Sequence, residues 1–529
     1  INALSEDEIK ELIKQFEENI PDFSRFKSFD DVLNKWLNII EKYMWAVPSD
    51  TRYETSDVSL YDHLRSSAAI AACLYKRHII AIEEGKKLDR VNEFIFIGGD
   101  FSGIQNYIFD ITNRGSGGAS KRLRARSFFI FLFSEVTIHK ILHALDLPIV
   151  CNLFSSAGKF LLLAPNIEGV DNILQRIKAE IEQEIHDTYF SQFSFLMSYK
   201  AVKGFKEIFK VYNFFETADE MFHRLESGKI KKSQDVLLDS HTESWNLDAF
   251  MATDMYKAYQ GSEDCKICGK GPATYEDKGK DEAEESVRCC FTCYRDKLFL
   301  GQELPKCNYI AFGKGFVSNA DEDEGRKIVI FHNCRSDGKG KKDSYYVELL
   351  KNYRESGEYY LIYDIGKTQD MANVNHLVPL KKYYANYVPT NGNQYSAKSF
   401  EDIAKLSRWQ KDSKAYGSDL LGILKVDVDN LGLIFSKGFE NPDRAEKGLL
   451  NIDRKTVSRY LTMSRVLESF FSSWIKEIMS GDYKRSLVDE LTKVEDIDKE
   501  RLKNYLEDDV INFKNIYTVY SGGDDMLLV

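Results

Sequence analysis

Residues 516–529, Ile-Tyr-Thr-Val-Tyr-Ser-Gly-Gly-Asp-Asp-Met-Leu-Leu-Val, constrain the fold more than any other stretch of the chain. β-Branched, aromatic and aliphatic residues flank Gly522-Gly523-Asp524-Asp525, the pattern of two strands joined by a tight turn. The glycines permit positive φ and leave room for something to approach closely. Adjacent carboxylates on an exposed tip repel each other unless a cation lies between them. A hard divalent ion such as Mg²⁺ or Mn²⁺, held by one or two carboxylates plus substrate phosphates, meets that need. Taken alone, the hairpin also reads as a simple turn. Residues 420–432, Leu-Leu-Gly-Ile-Leu-Lys-Val-Asp-Val-Asp-Asn-Leu-Gly, weigh against that. They predict an apolar strand whose Asp427 and Asp429, two residues apart, share one face. Pairing of this strand with the hairpin would gather Asp427, Asp429, Asp524 and Asp525 on one edge. Such a cluster suits two-metal, in-line attack on phosphorus.

The same arrangement recurs in weakened form. Residues 94–109, Phe-Ile-Phe-Ile-Gly-Gly-Asp-Phe-Ser-Gly-Ile-Gln-Asn-Tyr-Ile-Phe, compare with 424–435: an aliphatic strand, an Asp (Asp100 or Asp427), a turn, then Ile-Phe. Residues 151–163 parallel 519–529, with Ala157-Gly158-Lys159-Phe160 matched to Gly522-Gly523-Asp524-Asp525. Each copy has a helix between, 120–129 against 458–465. The repeat predicts two similar units facing each other across a pseudo-two-fold, the second with its carboxylates kept and the first without them. Lys159 in place of an Asp favours triphosphate over metal, and Ser102 and Gly103 offer hydroxyl and backbone contacts to the same phosphates. Two readings stand for the basic run Lys121, Arg122, Arg124 and Arg126: contact with RNA phosphate or a partner protein, or a solvated helix face.

Cys265-x-x-Cys268 and Cys290-x-x-Cys293 are two knuckles separated by a charged, turn-rich stretch. Four thiolates at this spacing form a closed, structural Zn²⁺ site. Spacing alone leaves Cys289 as an alternative to Cys290. Nine cysteines in 529 residues, four of them in CxxC pairs, fit a reduced cytoplasmic protein better than a disulfide scaffold. A formal charge of −11 argues against a non-specific coat on nucleic acid. No apolar run reaches the roughly 18 residues of a membrane span, and no signal peptide is visible.

With these motifs in hand, the chain resembles the large polymerase-like subunit of type III-A (Csm) CRISPR effector complexes. Three markers carry the resemblance: Gly99-Asp-Phe-Ser-Gly-Ile-Gln105, the four-cysteine knuckle, and Ser521-Gly-Gly-Asp-Asp525. It implies an α+β multidomain chain with two ferredoxin-like palm domains, of the nucleotide cyclase and polymerase kind, a zinc-knuckle insert and a helical N-terminal remnant. The expected units are 1–90 (helical, the end of an HD nuclease domain), 91–250 (first palm), 251–310 (knuckle), 311–405 (mixed linker domain) and 406–529 (second palm). The implied activity is synthesis of cyclic oligoadenylate from ATP, switched on when target RNA pairs with guide RNA, in company with other Csm subunits. By motif match, Asp427, Asp524 and Asp525 would hold Mg²⁺, and Asp429 is a weaker candidate. Ser521, Gly522, Gly523, Asp100, Ser102, Gly103, Gly158 and Lys159 would line the nucleotides.

Residues 1–90 are expected to be helical, with Ile9, Leu12, Ile13, Phe16 and Ile20 at helical spacing. Asp62 and His63 cap or orient a helix in this reading, His186-Asp187 is a coincidental pair, and no DNase activity is credited. The start at Ile1 and the end at Val529, inside a strand, read as a fragment or the ordered parts of a longer protein. Two rival classes are a stand-alone GGDEF-like dinucleotide cyclase and a non-catalytic ribonucleoprotein scaffold. The internal repeat and knuckle weigh against the first, and the four aspartates against the second.

Overall fold

The computed structural model describes residues 6–50, 57–87, 93–111, 118–156, 158–202, 211–239, 244–251, 259–277, 286–336, 342–366, 374–390, 397–411, 414–431, 434, 456–480, 515–523 and 525–529. Three helices come first: α1 (Glu6–Asn19), α2 (Phe29–Met44) and α3 (Leu60–Glu83). α1 forms as its spacing predicts but packs lightly. Ile9 and Ile13 are exposed, and Phe16 is its anchor, edge-on to Tyr43 and tilted against Trp36. α2 starts at Ser28, whose hydroxyl accepts from the Asp31 amide. Its polar side chains grip a distant main chain: Asn34 and Asn38 donate to the carbonyls of Val378 and Pro379, and Asp31 accepts from the Val378 amide.

An antiparallel sheet follows, built from β1 (Phe94–Ser102), β2 (Asn152–Ser156), β3 (Lys159–Pro165) and β4 (Ser194–Val202). Its order is β2-β3-β1-β4. α4 (Ile104–Phe109) and α5 (Ala119–Ala144) lie between β1 and β2, and α6 (Val170–Tyr189) between β3 and β4. This is the split βαββαβ arrangement of a ferredoxin-like domain. β1 is central and buried along nearly its whole length, which explains its unbroken apolar run. Gly99 pairs with Phe160, whose ring occupies the space a side chain at 99 would need. α7 (Val211–Gly228) covers the sheet on the face of Gly98, where Met221 and Leu225 close in.

The zinc-knuckle segment contributes a small hairpin, β5 (Tyr275–Asp277) with β6 (Val287–Cys289), then α8 (Phe291–Arg295) and a widened π-helical turn at Asp296–Leu300. Next comes a five-stranded sheet of β7 (Tyr309–Val317), β8 (Ile328–Ser336), β9 (Lys342–Leu350), β10 (Tyr359–Asp364) and β11 (Leu380–Lys381), in the order β8-β9-β7-β10-β11. β7 runs across the domain boundary expected at residue 310. This sheet and the first one enclose α5, apolar or buried nearly all round, with Phe133 against Phe331 and His139 bonded to the hydroxyls of Tyr360 and Tyr363. Burial holds His139 down to about 3, so it packs as a neutral ring. By length and composition α5 could cross a membrane, and here it is the core helix between two sheets.

The last sheet contains β12 (Leu424–Asp427), β13 (Thr518–Gly522) and β14 (Asp525–Leu528), with α9 (Val457–Ser469) between β12 and β13. Its order, β13-β14-β12, repeats β2-β3-β1 of the first sheet. Among the described residues no strand lies on the flank of β12 that corresponds to β4, and Leu420, Ile423 and Leu424 are exposed. The two units also contact each other reciprocally. α5 of the first lies on β13 of the second, with Arg124 over the Tyr517 ring, and α9 of the second lies on β2 of the first, with Tyr460 against Phe154. That exchange of equivalent elements is the mark of a pseudo-two-fold.

Candidate active site and metal centre

β12 and β14 pair so that Asp427 stands directly opposite Asp525. Residues opposed in an antiparallel pair project to the same face with Cβ atoms roughly 4.5–5.5 Å apart. Two carboxylates therefore crowd one spot, Asp427 exposed and Asp525 half-buried. Like charges in that position destabilise the sheet unless a cation joins them. Hard oxygen donors on adjacent strands are the donor set that Mg²⁺ or Mn²⁺ takes. The hairpin makes this possible: Gly522 pairs with Asp525, and Gly523 takes φ +74 in the turn. Asp524 lies outside the described residues. Strand β12 ends at Asp427, so Asp429 falls in the following turn, next to Asn430 at φ +57, and does not share the strand face expected for it.

Two neighbours position the hairpin. The Tyr520 hydroxyl donates to Asp525 Oδ2 at 3.1 Å, and its ring meets Phe109 at the end of α4, bringing the first unit to the edge of the site. Ser521 donates to the main-chain carbonyl of Phe471, in a π-helical turn at Phe470–Trp474 that continues α9. Tyr520 carried no role in the sequence reading. Its place just before the glycines was the available signal.

In the first unit the corresponding register pairs Asp100 with Lys159. Since Asp427 pairs with Asp525, Lys159 corresponds to Asp525, one position along from the sequence match with Asp524. Ser156 and Lys159 close the turn as Gly522 and Asp525 do. Lys159 is exposed, whereas Asp100 is buried and ion-paired to Lys229 at 3.4 Å. Burial raises the Asp100 carboxyl, and Lys159 and Lys229 offset part of that rise. No sequence signal pointed to Lys229. Gly103 caps α4 at φ +86, next to half-buried Ser102, and Gly158 at φ +83 leaves space for Ile104.

The sulfurs of Cys265, Cys268, Cys290 and Cys293 all lie within 4.8 Å of one another, with Cys268 and Cys290 at 3.7 Å. Tetrahedral zinc, with Zn–S near 2.3 Å, places its sulfurs about 3.8 Å apart. The four residues fit that ion. Amides of Ile267 and Cys268 point at Cys265 Sγ, as a thiolate requires. Cys289 ends β6 and stands outside the cluster, which removes the alternative left open by spacing.

The three arginines of the basic run on α5 are neither solvated nor available to RNA, while Lys121 is half-buried. Arg122, Arg124 and Arg126 are all but fully buried. Arg122 pairs with Asp277 of the knuckle hairpin, and Arg124 reaches the Tyr517 hydroxyl and the Gly301 carbonyl. Arg126 bonds Asp296 at 3.3 Å, the carbonyls of Tyr107 and Asp110, and Cys293 Sγ at 3.4 Å. These side chains rivet the knuckle and the last sheet to α5. Asp62 likewise does not cap its helix. Fully buried, it receives Arg465 of α9 through both carboxylate oxygens, and Asp57 receives Arg459 in the same way. His186 meets Ser191, and Asp187 meets Gln183.

Comparison with known proteins agrees with this layout. A family model described as the Cas10/Cmr2 second palm domain matches residues 420–529, and one described as Csm1 subunit domain B matches 93–243. The chain is similar to the CRISPR system single-strand-specific deoxyribonuclease Cas10/Csm1 (subtype III-A) of Methanocaldococcus jannaschii, with 27% identity over 98% of this chain and 62% of that protein. Two crystal structures of a Csm1-Csm4 cassette, one in complex with cA4 and one with one ATP, share the fold at a TM-score of 0.63 and 21% identity. They cover 100% and 98% of this chain, and 56% of each matched chain is spanned. The chain thus spans about three fifths of the length of such relatives.

Proposed function

Because the chain belongs to the Cas10/Csm1 family of type III-A CRISPR subunits, we propose that it carries a nucleotidyl-transfer site that makes cyclic oligoadenylate from ATP. The observation behind this is the register of Asp427 against Asp525, two carboxylates that need a shared cation. Asp427 and Asp525, with Asp524 next to it in sequence, would hold Mg²⁺ or Mn²⁺. When bound, that ion neutralises phosphate charge and activates the attacking hydroxyl. The reaction joins the 3′-oxygen of one ATP to the α-phosphorus of another, with pyrophosphate leaving and the hydroxyl proton passing to solvent.

The chain's own residues handle position and charge. The Tyr520 hydroxyl orients Asp525, and the Ser521 bond to Phe471 fixes the strand leading into the turn. Lys159, exposed where the second unit has a carboxylate, presents a positive charge to the triphosphate of the acceptor nucleotide. Asp100, held by Lys229, supports the strand end that carries Ser102 and Gly103. Two related units in one chain favour this reading over a cyclase assembled from two identical chains. The partners in the proposal are a Csm4-type subunit, guide RNA and target RNA. Zn²⁺ in the four-cysteine knuckle ties that segment together and takes no part in the chemistry.

The test is product analysis by mass spectrometry of the complete protein, assembled with guide RNA and its subunits, with ATP and Mg²⁺, with and without target RNA. Oligoadenylates dependent on target RNA, and lost in D427A and D525A, are expected. Unchanged product from D525A would refute the assignment.

A further inference from the structure

A cavity of about 450 Å³ lies among α2, the segment joining β10 to β11, and the helix formed by α9 and its π-helical turn, and its lining includes none of the hairpin residues 518–525. Neither the nucleotidyl-transfer proposal nor the zinc knuckle uses it. Its volume is that of a small-molecule site.

The lining is cationic and aromatic. Lys35, Lys42, Lys381, Lys382, Lys476 and Arg465 face three acids, Glu41, Asp364 and Glu477. Several of these cations are already matched: Lys381 with Asp364 at 3.5 Å, Lys382 with Glu135 and Glu468, and Arg465 with Asp62. Lys35 and Lys42, two turns apart on α2, form no ion pair with another described residue. Burial and the neighbouring Lys42 push the Lys35 ammonium down, so the pair gains from an anion between them. Glu41 lies in the same wall, and burial pushes its carboxyl up to about 7. A carboxyl in that range is partly protonated at neutrality and can donate to a ligand oxygen. At the rim, Trp45 is 45% and Trp474 41% exposed, large rings of the kind on which bases stack.

We infer that this cavity is a second nucleotide-binding site, taking the phosphate between Lys35 and Lys42 and the base against Trp45 or Trp474. Phosphate-sized charge alone would leave the two indoles uncovered, and a planar ring alone would leave the two ammoniums unneutralised. A nucleotide satisfies both.

The site is joined to the hairpin through one short element. Ser472, Ser473 and Trp474 line the cavity, while the carbonyl of Phe471 in the same turn accepts from Ser521, next to Gly522. Single π-helical turns inside α-helices are rare and occur frequently at functional sites. Occupancy therefore bears on the strand that presents the glycine turn. This effect on chemistry rests on the nucleotidyl-transfer reading, whereas binding does not.

Calorimetric titration of AMP into the D427N/D525N protein tests the cavity with the carboxylate edge disabled. Saturable binding is expected, weakened at least tenfold by Lys35→Gln with Lys42→Gln and restored by Lys35→Arg with Lys42→Arg. Trp474→Leu, which changes no charge, is expected to weaken AMP and leave inorganic phosphate unaffected. Absence of saturable heat, binding indifferent to both sets of variants, or phosphate binding as tightly as AMP would each overturn the inference. Failure of oligoadenylate synthesis with AMP binding intact would count against the palm reading alone.

Discussion

Replacing Arg126 by Met tests whether the buried arginine on α5 holds the zinc knuckle. The guanidinium makes two short bonds to main-chain carbonyls, 2.8 Å to Tyr107 and 3.0 Å to Asp110, and also reaches Asp296 and Cys293 Sγ. Each charge-assisted bond is worth about 1.5–3 kcal/mol, which would total roughly 3–6 for the two carbonyls. Two considerations lower that figure. Asp296 keeps Arg295 at 2.9 Å, so no carboxylate is stranded, and burying Met avoids the desolvation cost of the guanidinium. A net loss of about 3 kcal/mol results. A separate effect falls on the metal. Four thiolates around Zn²⁺ carry net negative charge, which a cation 3.4 Å from Cys293 stabilises. Loss of such a supporting contact costs about 10–100-fold in zinc affinity. The assay is competition for zinc with a chromophoric chelator, alongside thermal melting. Arg122→Met is the control, since its partner Asp277 keeps Lys297 at 2.7 Å and it does not touch the cluster. R126M that holds zinc as tightly as R122M would refute the reasoning.

Removing the carboxylate clash should stabilise the last sheet without metal: D427N is expected to melt at or slightly above the parent, by up to about 1 kcal/mol. Mg²⁺ should raise the melting point of the parent and not of D427N/D525N, as read by differential scanning calorimetry. Lys382→Met strands Glu135, buried and already tied to Ser155 and Tyr363, and is expected to cost about 3–5 kcal/mol in denaturant titration. Glu135→Gln in the same protein should recover most of it. His332 accounts for a pH effect. Burial alone would push its pKa down, but bonds to Glu184 and Glu322 outweigh that and hold it at about 9. The raised value means protonated His332 stabilises the fold fully below about 6.5, and the contribution, on the order of 3 kcal/mol, fades as pH rises to about 9. His332→Gln should flatten the melting profile across that window.

The glycine–aspartate hairpin, the strand that faces it and the thiol knuckle were legible in the sequence because each is local. Turn chemistry, alternating apolar residues and CxxC spacing all act within a few residues. The repeat of strand, helix and hairpin followed from comparing short stretches, and the structure gives both units the same order for those three strands. What the sequence withheld is long-range pairing. Nothing in Lys121–Arg126 distinguishes a wet cationic face from a rivet, because the partners Asp277, Asp296 and Tyr517 are more than a hundred residues away. Lys229 beneath Asp100 and Arg465 on Asp62 were hidden for the same reason. The one-residue offset that matches Lys159 to Asp525 emerged only from the hydrogen-bond register, since the sequence match rested on glycine alone.

The grip of α2 on the main chain near residue 379 sets a timetable for synthesis. Asn38 and its partner carbonyl at Pro379 are 341 residues apart. At about 5–20 residues per second, roughly 20–70 s separate their emergence from the ribosome. Throughout that interval Asp31, Asn34 and Asn38 present polar side chains shaped for a backbone not yet made, although Leu37 and Ile40 can already pack on Tyr61 and Val150. The face of α2 that carries these side chains should therefore be among the last surfaces of the described helices to dock.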